Sequence, residues 1–277
     1  MAQIKKKDQD KVKVKAKKDK VKKESPVQMD IVRAHDSDSG GINSLEVMGH
    51  IDRIRSKLLI TLLLFMILTP VAFYFSGTLL KYINKPFVAT GNTLNIFTLM
   101  GGFMLRFKVS TAATLLVLMP LIIYQIWSVV SDSAVKKSRM FSRVMVILAI
   151  ILFYAGVAAS FFLLLPLIVE MLLSYNHADM LSTVGADSYL GFTLLICLSM
   201  GVIFEVPIIV FLLTRMGIIT PAMLTGKRKH AIVIMWILAA ILTPPDVLSQ
   251  VLVAVPLMII FEISVLISKY VYKKNNH

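Results

Sequence analysis

Residues 191 to 214 read GFTLLICLSMGVIFEVPIIVFLLT, and this stretch sets the fold class expected for the whole chain. As a helix it is about 36 Å long, which is enough to cross a hydrocarbon layer of about 30 Å. It nevertheless carries a carboxylate, Glu205, near its middle, and Pro207 follows two residues later. An ionised group at this depth normally faces protein or a water-filled cavity. The stretch therefore predicts a membrane-spanning helix with a polar, bendable point that other helices cover.

The composition extends this prediction to the rest of the chain. Of 277 residues 57% are hydrophobic, and the mean hydropathy is +0.76, which is typical of a helical protein with several membrane spans. The single cysteine, Cys197, excludes an intrachain disulfide and argues against a cysteine metal site. The histidines are scattered, and neither a phosphate-binding loop nor a nucleophile elbow is present. We therefore expect no enzymatic activity, no cofactor and no metal.

Apolar runs divide the chain into six predicted spans. The fifth is the shortest, because about thirteen residues reach only about 20 Å as a helix, so the membrane must thin there or neighbours must shield its ends. Residues 78 to 108 are predicted to form an outer loop. An amphipathic helix over residues 45 to 58 is expected to lead into the first span. The predicted spans are, approximately, residues 58–75, 109–130, 144–167, 191–214, 230–242 and 247–268.

The basic residues predict the orientation of the spans. Residues 1 to 25 contain eleven Lys against four acids, and the loops after the second and fourth spans are also basic. By the positive-inside rule this side is cytoplasmic, and both termini lie on it. This uneven charge is a topology signal, and we expect no nucleic-acid partner. The predicted organisation is a disordered Lys-rich tail over 1–43, a membrane domain over 44–272 and a short tail over 273–277.

Several short motifs carry a family resemblance. They are FEVP at 204–207, LTPPDVLSQ at 242–250, FEIS at 261–264, YQIW at 124–127 after Pro120, and HIDRIRSKL at 50–58. Together they resemble signatures of TatC, the multispanning component of the twin-arginine protein translocase, over residues 45 to 272. The chain is identified as a divergent member of that family.

The resemblance implies an all-α membrane fold in which six transmembrane helices form a concave, glove-like arrangement with short fifth and sixth helices. It implies a Sec-independent translocase subunit that moves folded proteins across the bacterial cytoplasmic (inner) membrane. Its expected partners are the lipid bilayer, single-span TatA- or TatB-like subunits, twin-arginine precursor proteins and further copies of itself within a complex.

The resemblance also implies three groups of site residues. The family binds signal peptides through two glutamates, and the matching positions here are Arg53 and Ser138, so both acids are missing. Two signal arginines need carboxylate partners, and the neighbouring Asp52 is a candidate replacement, although a shift of one residue on a helix rotates the side chain by about 100°. The predicted signal-peptide face is Asp52, Arg53, Arg55, Ser138 and Arg139; the membrane core and partner contact is Glu205, Pro207, Thr243 and Gln250; the outer-loop positions are Pro86, Phe103, Lys108 and Asp246.

Two alternatives to a complete translocase subunit remain open at this point. One is a diverged scaffold that gathers partner helices but no longer reads twin-arginine signals. The other is a transporter of small solutes or protons that uses Glu205. The lack of an internal repeat weakens the second alternative.

Overall fold

The computed structural model describes residues 44–134, 139–175 and 184–275, and side chains over 55–128, 140–175 and 184–273. The predicted Lys-rich tail over 1–43 and Ser138 lie outside these ranges. The described chain divides into two units between Arg53 and Ile54. All contacts given below lie within the second unit.

The described chain is almost entirely helical. Its elements in order are α1 Ser44–Tyr74, α2 Ser76–Val88, β1 Leu94–Asn95, α3 Gly101–Ala134, α4 Arg139–Ala159, a π-helical turn Ser160–Leu164, α5 Leu165–Ser174, β2 Val184–Gly185, α6 Ala186–Ile203, α7 Val206–Arg215, α8 Pro221–Gly226, α9 Arg228–Leu242 and α10 Val247–Asn275.

Five helical stretches are long and apolar enough to cross a membrane, which confirms the predicted all-α membrane fold. The fifth of the six predicted spans corresponds to α9, which has fifteen residues and is about 22 Å long. The prediction of a short fifth helix is therefore confirmed. The five long stretches are Arg55–Tyr74, Gly101–Ser128, Met140–Ser174, Ala186–Arg215 and Val247–Lys273.

Two sequence predictions about the elements are wrong. Residues 78–108 are not one loop, because they contain most of α2, strand β1 and the first turns of α3. The sixth helix is not short, because α10 continues for 29 residues with Pro256 inside it. Hydropathy marks the part of a helix that lies in hydrocarbon, whereas hydrogen bonding carries α3 and α10 beyond that layer. Helix α2 is a separate helix that begins after Phe75.

Three apolar clusters hold the helices together. At the end where α9 meets α10, Met235 and Ala239 pack with Ala254 and Leu257. At the end that carries β1 and β2, Phe87 of α2 packs with Tyr189 of α6, with ring centroids 5.0 Å apart. A third cluster joins α3, α4 and α7 through Trp127, Phe153, Ile208 and their neighbours. The fourth span, α6 with α7, contributes to all three clusters and is therefore central to the bundle.

Two glycines allow α4 and α6 to approach closely. A Cβ atom on Gly156 would lie 2.7 Å from Cγ of Phe204 and 2.8 Å from the carbonyl oxygen of Met200. A Cβ on Gly201 would lie 2.7 Å from Cε2 of Phe153. The contact is thus reciprocal, since an aromatic ring from each span fills the space above a glycine of the other.

A short parallel ladder closes one end of the bundle. Leu94 pairs with Val184, and Asn95 pairs with Gly185. The ladder ties the connection between α2 and α3 to the residue before α6. We call this end the β end and the opposite end, where α4 begins and α7 and α10 finish, the basic end.

Candidate functional site

Glu205 lies at a break within the fourth span. Helix α6 finishes at Ile203 and α7 starts at Val206, and Glu205 keeps right-handed helical angles between them. Its N–H donates to the carbonyl of Val202 at 3.1 Å, and its own carbonyl accepts from Ile208 and Ile209 at 3.0 Å. Pro207 has no N–H to donate to the carbonyl of Ile203, which is why regular hydrogen bonding stops here. The predicted bendable point is therefore present at Phe204 and Glu205.

The side chain of Glu205 is half-buried, and its Oε1 atom is buried without a hydrogen-bond partner among the described residues. A buried polar oxygen left unpaired costs about 1–3 kcal/mol. Pro207 beside it is buried and borders an apolar groove between α4, α7 and α10. The structure thus places an unpaired carboxyl oxygen in the apolar interior, next to the break in the fourth span.

Thr243 and Gln250 lie together where α9 meets α10. The hydroxyl of Thr243 donates to the carbonyl of Ala239 at 2.9 Å, and Thr243 itself ends α9 in an extended conformation. The amide of Gln250 donates to the carbonyl of Trp236 at 3.1 Å. Both side chains therefore bond the main chain of α9, and Gln250 fastens α10 to it. Their role as partner contacts stays a prediction.

Asp246 caps the N-terminus of α10. Its carboxylate accepts the N–H of Ser249 at 2.8 Å and also the hydroxyl of Ser249. A carboxylate that accepts from the third residue of a helix is a typical N-cap. The sequence TPPDVLS contains this capping signal. Asp246, predicted as an outer-loop position, is therefore the N-cap of a helix.

The other outer-loop residues lie on helices at or near the β end. Lys108 of α3 forms an ion pair of 2.6 Å with Asp187 of α6, with side chains 41% and 58% exposed. Phe103 is exposed on the first turn of α3, with its ring 5.8 Å from that of Phe73. Pro86 lies inside α2 near its end. No local sequence pattern indicates the pairing of Lys108 with Asp187, because the two residues are 79 positions apart.

The predicted signal-peptide face is described only in part. Asp52 and Arg53 belong to helix α1, and Arg139 is the first residue of α4, but nothing can be said of these three side chains. Ser138 lies outside the described residues. Arg55 is exposed on α1. The structure therefore neither brings this set together nor separates it.

The first span is held by polar contacts that the sequence did not reveal. Nζ of Lys57 donates to Ser128 Oγ at 2.8 Å, and the hydroxyl of Thr61 donates to Oε1 of Gln125 at 2.9 Å. No residue in the apolar window of α1 is buried. Since Gln125 belongs to the YQIW motif, that motif fastens the first span to the second.

At the basic end, Arg228 joins the start of α9 to α10. Its Nη2 donates to Oε2 of Glu262 at 2.9 Å, and Glu262 is the acid of the FEIS motif. Together with Gln250, which bonds the carbonyl of Trp236, this pair fixes the short helix against α10 at its start and near its middle.

A sequence model of the family described as "Sec-independent protein translocase protein (TatC)" matches residues 49–256, which is most of the chain. The chain belongs to the TatC family. It is similar to the translocase protein TatCy of Bacillus subtilis, with 32% identity over 84% of this chain and 92% of that protein. It is also similar to TatC of Aquifex aeolicus, with 30% identity over 81% of this chain and 95% of that protein.

A solved structure agrees with the sequence comparisons. A crystal structure of the twin-arginine translocase receptor TatC matches with a TM-score of 0.74 and 30% identity, covering 80% of this chain and 99% of that one. The TatC resemblance read from the motifs is thus confirmed. The protein is a multi-pass membrane protein of the Sec-independent translocase family, and members of this family are translocase components.

Proposed function

We propose that this protein is the multispanning subunit of a twin-arginine translocase, which moves folded proteins across the bacterial cytoplasmic membrane together with single-span subunits. The observation that carries the proposal is the TatC family match over residues 49–256. Membership of a protein-translocase family favours this function over transport of small solutes or protons through Glu205.

The short helix α9 supports a role in gathering partner helices. Met235, Ala239 and Leu242 face inward, and α9 is bonded to α10 at its start and near its middle. The opposite side presents exposed apolar residues, namely Ile234, Ile237 and Ile241. A helix of about 22 Å cannot match an undisturbed hydrocarbon layer of about 30 Å. A single-span partner lying along this side would cover the exposed strip and shield the ends.

The positive charge supports an orientation with both termini in the cytoplasm. Arg143, Arg215, Lys269 and Lys273 belong to the basic end, where α4 begins and where α7 and α10 finish. The positive-inside rule places this end in the cytoplasm. An impermeant thiol reagent that reached a cysteine at position 275 only from outside the cell would contradict this orientation.

The proposal is tested by export in living cells. In a bacterium that lacks its own TatC-family subunit, this chain is expressed with single-span subunits and a folded reporter carrying a twin-arginine signal. We expect the reporter to leave the cytoplasm, and a reporter whose two signal arginines are changed to lysine to remain. Absence of export, together with absence of co-purifying single-span subunits, would overturn the proposal.

A second candidate function is a scaffold that gathers partners without reading twin-arginine signals. Arg53 and Ser138 favour it, because they stand where the family resemblance expects two glutamates. Export failure with single-span subunits still co-purifying would select this second function.

The two positions at which this chain lacks the expected glutamates, Arg53 and Ser138, give a direct prediction. If the second function applies, a photo-reactive twin-arginine signal peptide should cross-link only weakly to the unmodified protein in membranes. The double change Arg53→Glu with Ser138→Glu should strengthen cross-linking about tenfold or more, because charge-assisted contacts to carboxylates are worth about 1.5–3 kcal/mol each. Strong cross-linking by the unmodified protein that is lost on Asp52→Ala would show instead that Asp52 has replaced the missing acids.

A further inference from the structure

An apolar groove runs along the bundle surface in the half nearer the basic end. It encloses about 410 Å³ between the third, fourth and sixth spans. Phe211 of α7 lies along it, and the ring of Phe141 on α4 lies 6.2 Å from the ring of Phe211. The lining is Met145, Leu148, Pro207, Ile208, Phe211, Leu266, Ile267, Tyr270 and Val271.

The groove and the cation beyond it match the depth of one lipid leaflet. The lining on α7 extends from Pro207 to Phe211, and from Pro207 to Arg215 this helix rises about 12 Å, close to the leaflet depth of about 15 Å.

Two cationic residues lie just beyond the groove, toward the basic end, on α7 and α10, two of the helices that line it. Arg215 lies one turn beyond Phe211 on α7, and its guanidinium stacks on the ring of Phe141 at 4.2 Å. On α10, Lys273 lies one turn beyond Tyr270. The hydroxyls of Thr214 and Ser268 are 2.8 Å apart, which holds these two helix ends side by side. Both cations therefore follow the apolar lining where an acyl chain would meet its headgroup.

The surroundings favour an anion at this place. Among the residues whose side chains are described, neither Arg215 nor Lys273 has a carboxylate partner. Glu262, which lies one turn before Leu266 on α10, is paired with Arg228 at 2.9 Å. Tyr270 is 71% exposed and lies at the end of the groove, as aromatic residues do at the level of lipid headgroups.

We infer that the groove is a binding site for an anionic phospholipid, with one acyl chain against Leu148, Ile208 and Leu266 and the phosphate on Arg215 and Lys273. Such a lipid would line the side of the bundle that Pro207 borders, next to the break at Glu205. The lipid headgroup supplies the negative charge that Arg215 and Lys273 lack as a partner among the described side chains, and the acyl chain fills the apolar groove.

Native mass spectrometry of the purified protein tests the inference with two probes, phosphatidylglycerol and phosphatidylcholine of identical acyl chains. We expect retention of phosphatidylglycerol to exceed that of phosphatidylcholine. The variant Arg215→Gln with Lys273→Gln should reduce phosphatidylglycerol retention by about fivefold for each cation removed. The matched control, Lys227→Gln with Lys229→Gln, removes two exposed charges from the same end and should retain the lipid. Equal retention of both lipids, or equal loss in both variants, would overturn the inference.

A second pair of variants tests the position of the acyl chain. Leu148→Trp fills the groove and should lower retention of both lipids, whereas Leu163→Trp changes an exposed position outside it and should not. Retention unchanged by Leu148→Trp would place the lipid elsewhere. If Arg215→Gln prevents folding, Lys273→Gln alone, at an exposed position, supplies the charge test. Retention of free glycerol 3-phosphate as strong as that of the lipid would assign the cations to soluble phosphate instead.

Discussion

At the scale of single residues, Glu205 combines two features that stability alone does not explain. Its Oε1 atom is buried without a partner among the described residues, and it lies in a break of the central span. Removing an unpaired buried acid should not weaken the fold, because the unpaired group itself costs about 1–3 kcal/mol. A loss of function on its removal would therefore report a functional role and not a structural one.

We predict that Glu205→Ala lowers export or recovery of single-span partners at least several-fold, while thermal unfolding stays at or above that of the unmodified protein. The matched control is Glu170→Ala, because Glu170 is an exposed acid near the end of the third span. Asp187 is a poor control, since it pairs with Lys108. Equal and negligible effects of Glu205→Ala and Glu170→Ala would leave Glu205 without a functional role.

Gly156 tests the close contact between α4 and α6. In Gly156→Ala the new Cβ meets the ring of Phe204 at 2.7 Å and the backbone oxygen of Met200 at 2.8 Å, so the helices must separate. Overpacking of this kind costs about 1–3 kcal/mol. We expect a lower unfolding temperature in detergent. Gly191→Ala is the control, because no atom lies within 4 Å of its Cβ. A Gly156→Ala protein as stable as Gly191→Ala would contradict the close contact.

The sequence predicted some of these residue features and not others. The break at Glu205 follows from an acid and a proline two positions apart, which is local information. The pairs Lys108–Asp187 and Thr61–Gln125 join residues 79 and 64 positions apart, and no local pattern indicates which polar groups meet. The contact of Gly156 with Phe204 depends on how two helices cross, so it also required the structure.

At the scale of elements, the hairpin of α9 and α10 is defined by its ends. Thr243 stops α9, Asp246 starts α10, and Gln250 and Glu262 fasten the two helices together. Helix ends buried in or near hydrocarbon need such partners, because water is scarce there. The short α9 is therefore held in place by a small number of polar groups.

Asp246→Ala should remove the N-cap of α10 and lower the free energy of unfolding by about 1 kcal/mol, within a usual range of about 0.5–2 kcal/mol. Asp246→Asn should retain most of the stability, because an Asn side chain accepts the same bond from Ser249. Denaturation of the purified proteins in detergent measures both. The capping role would be refuted if Asn and Ala were equally destabilising.

Hydropathy predicted the existence and order of the spans but not their ends. Phe103 and Lys108 were predicted to lie in a loop, yet they lie on α3, and α10 runs on to Asn275. The apolar signal ends where hydrocarbon ends, whereas the polar turns of a helix continue on hydrogen bonds that composition does not show. The short α9 was predictable because TPPD breaks the chain at a definite position.

At the scale of the whole molecule, we propose that this protein acts by holding single-span subunits against its short fifth helix. The inward side of α9 is packed, its start and its middle are bonded to α10, and its outer side is apolar and exposed. The family match shows that the chain belongs to a family of translocase components. The exposed side of α9 is the surface at which contact with a single-span subunit can be tested.

The most direct test is site-specific disulfide cross-linking in membranes to a cysteine in the span of a single-span subunit. Cys197 is first replaced by alanine, since it is the single native cysteine, and a cysteine is placed at Ile237 on α9 or at Ile151 on α4, both exposed apolar positions. We predict a cross-linked product from position 237 and little or none from position 151. Equal products from both positions, or none from position 237 while position 151 reacts, would contradict the claim.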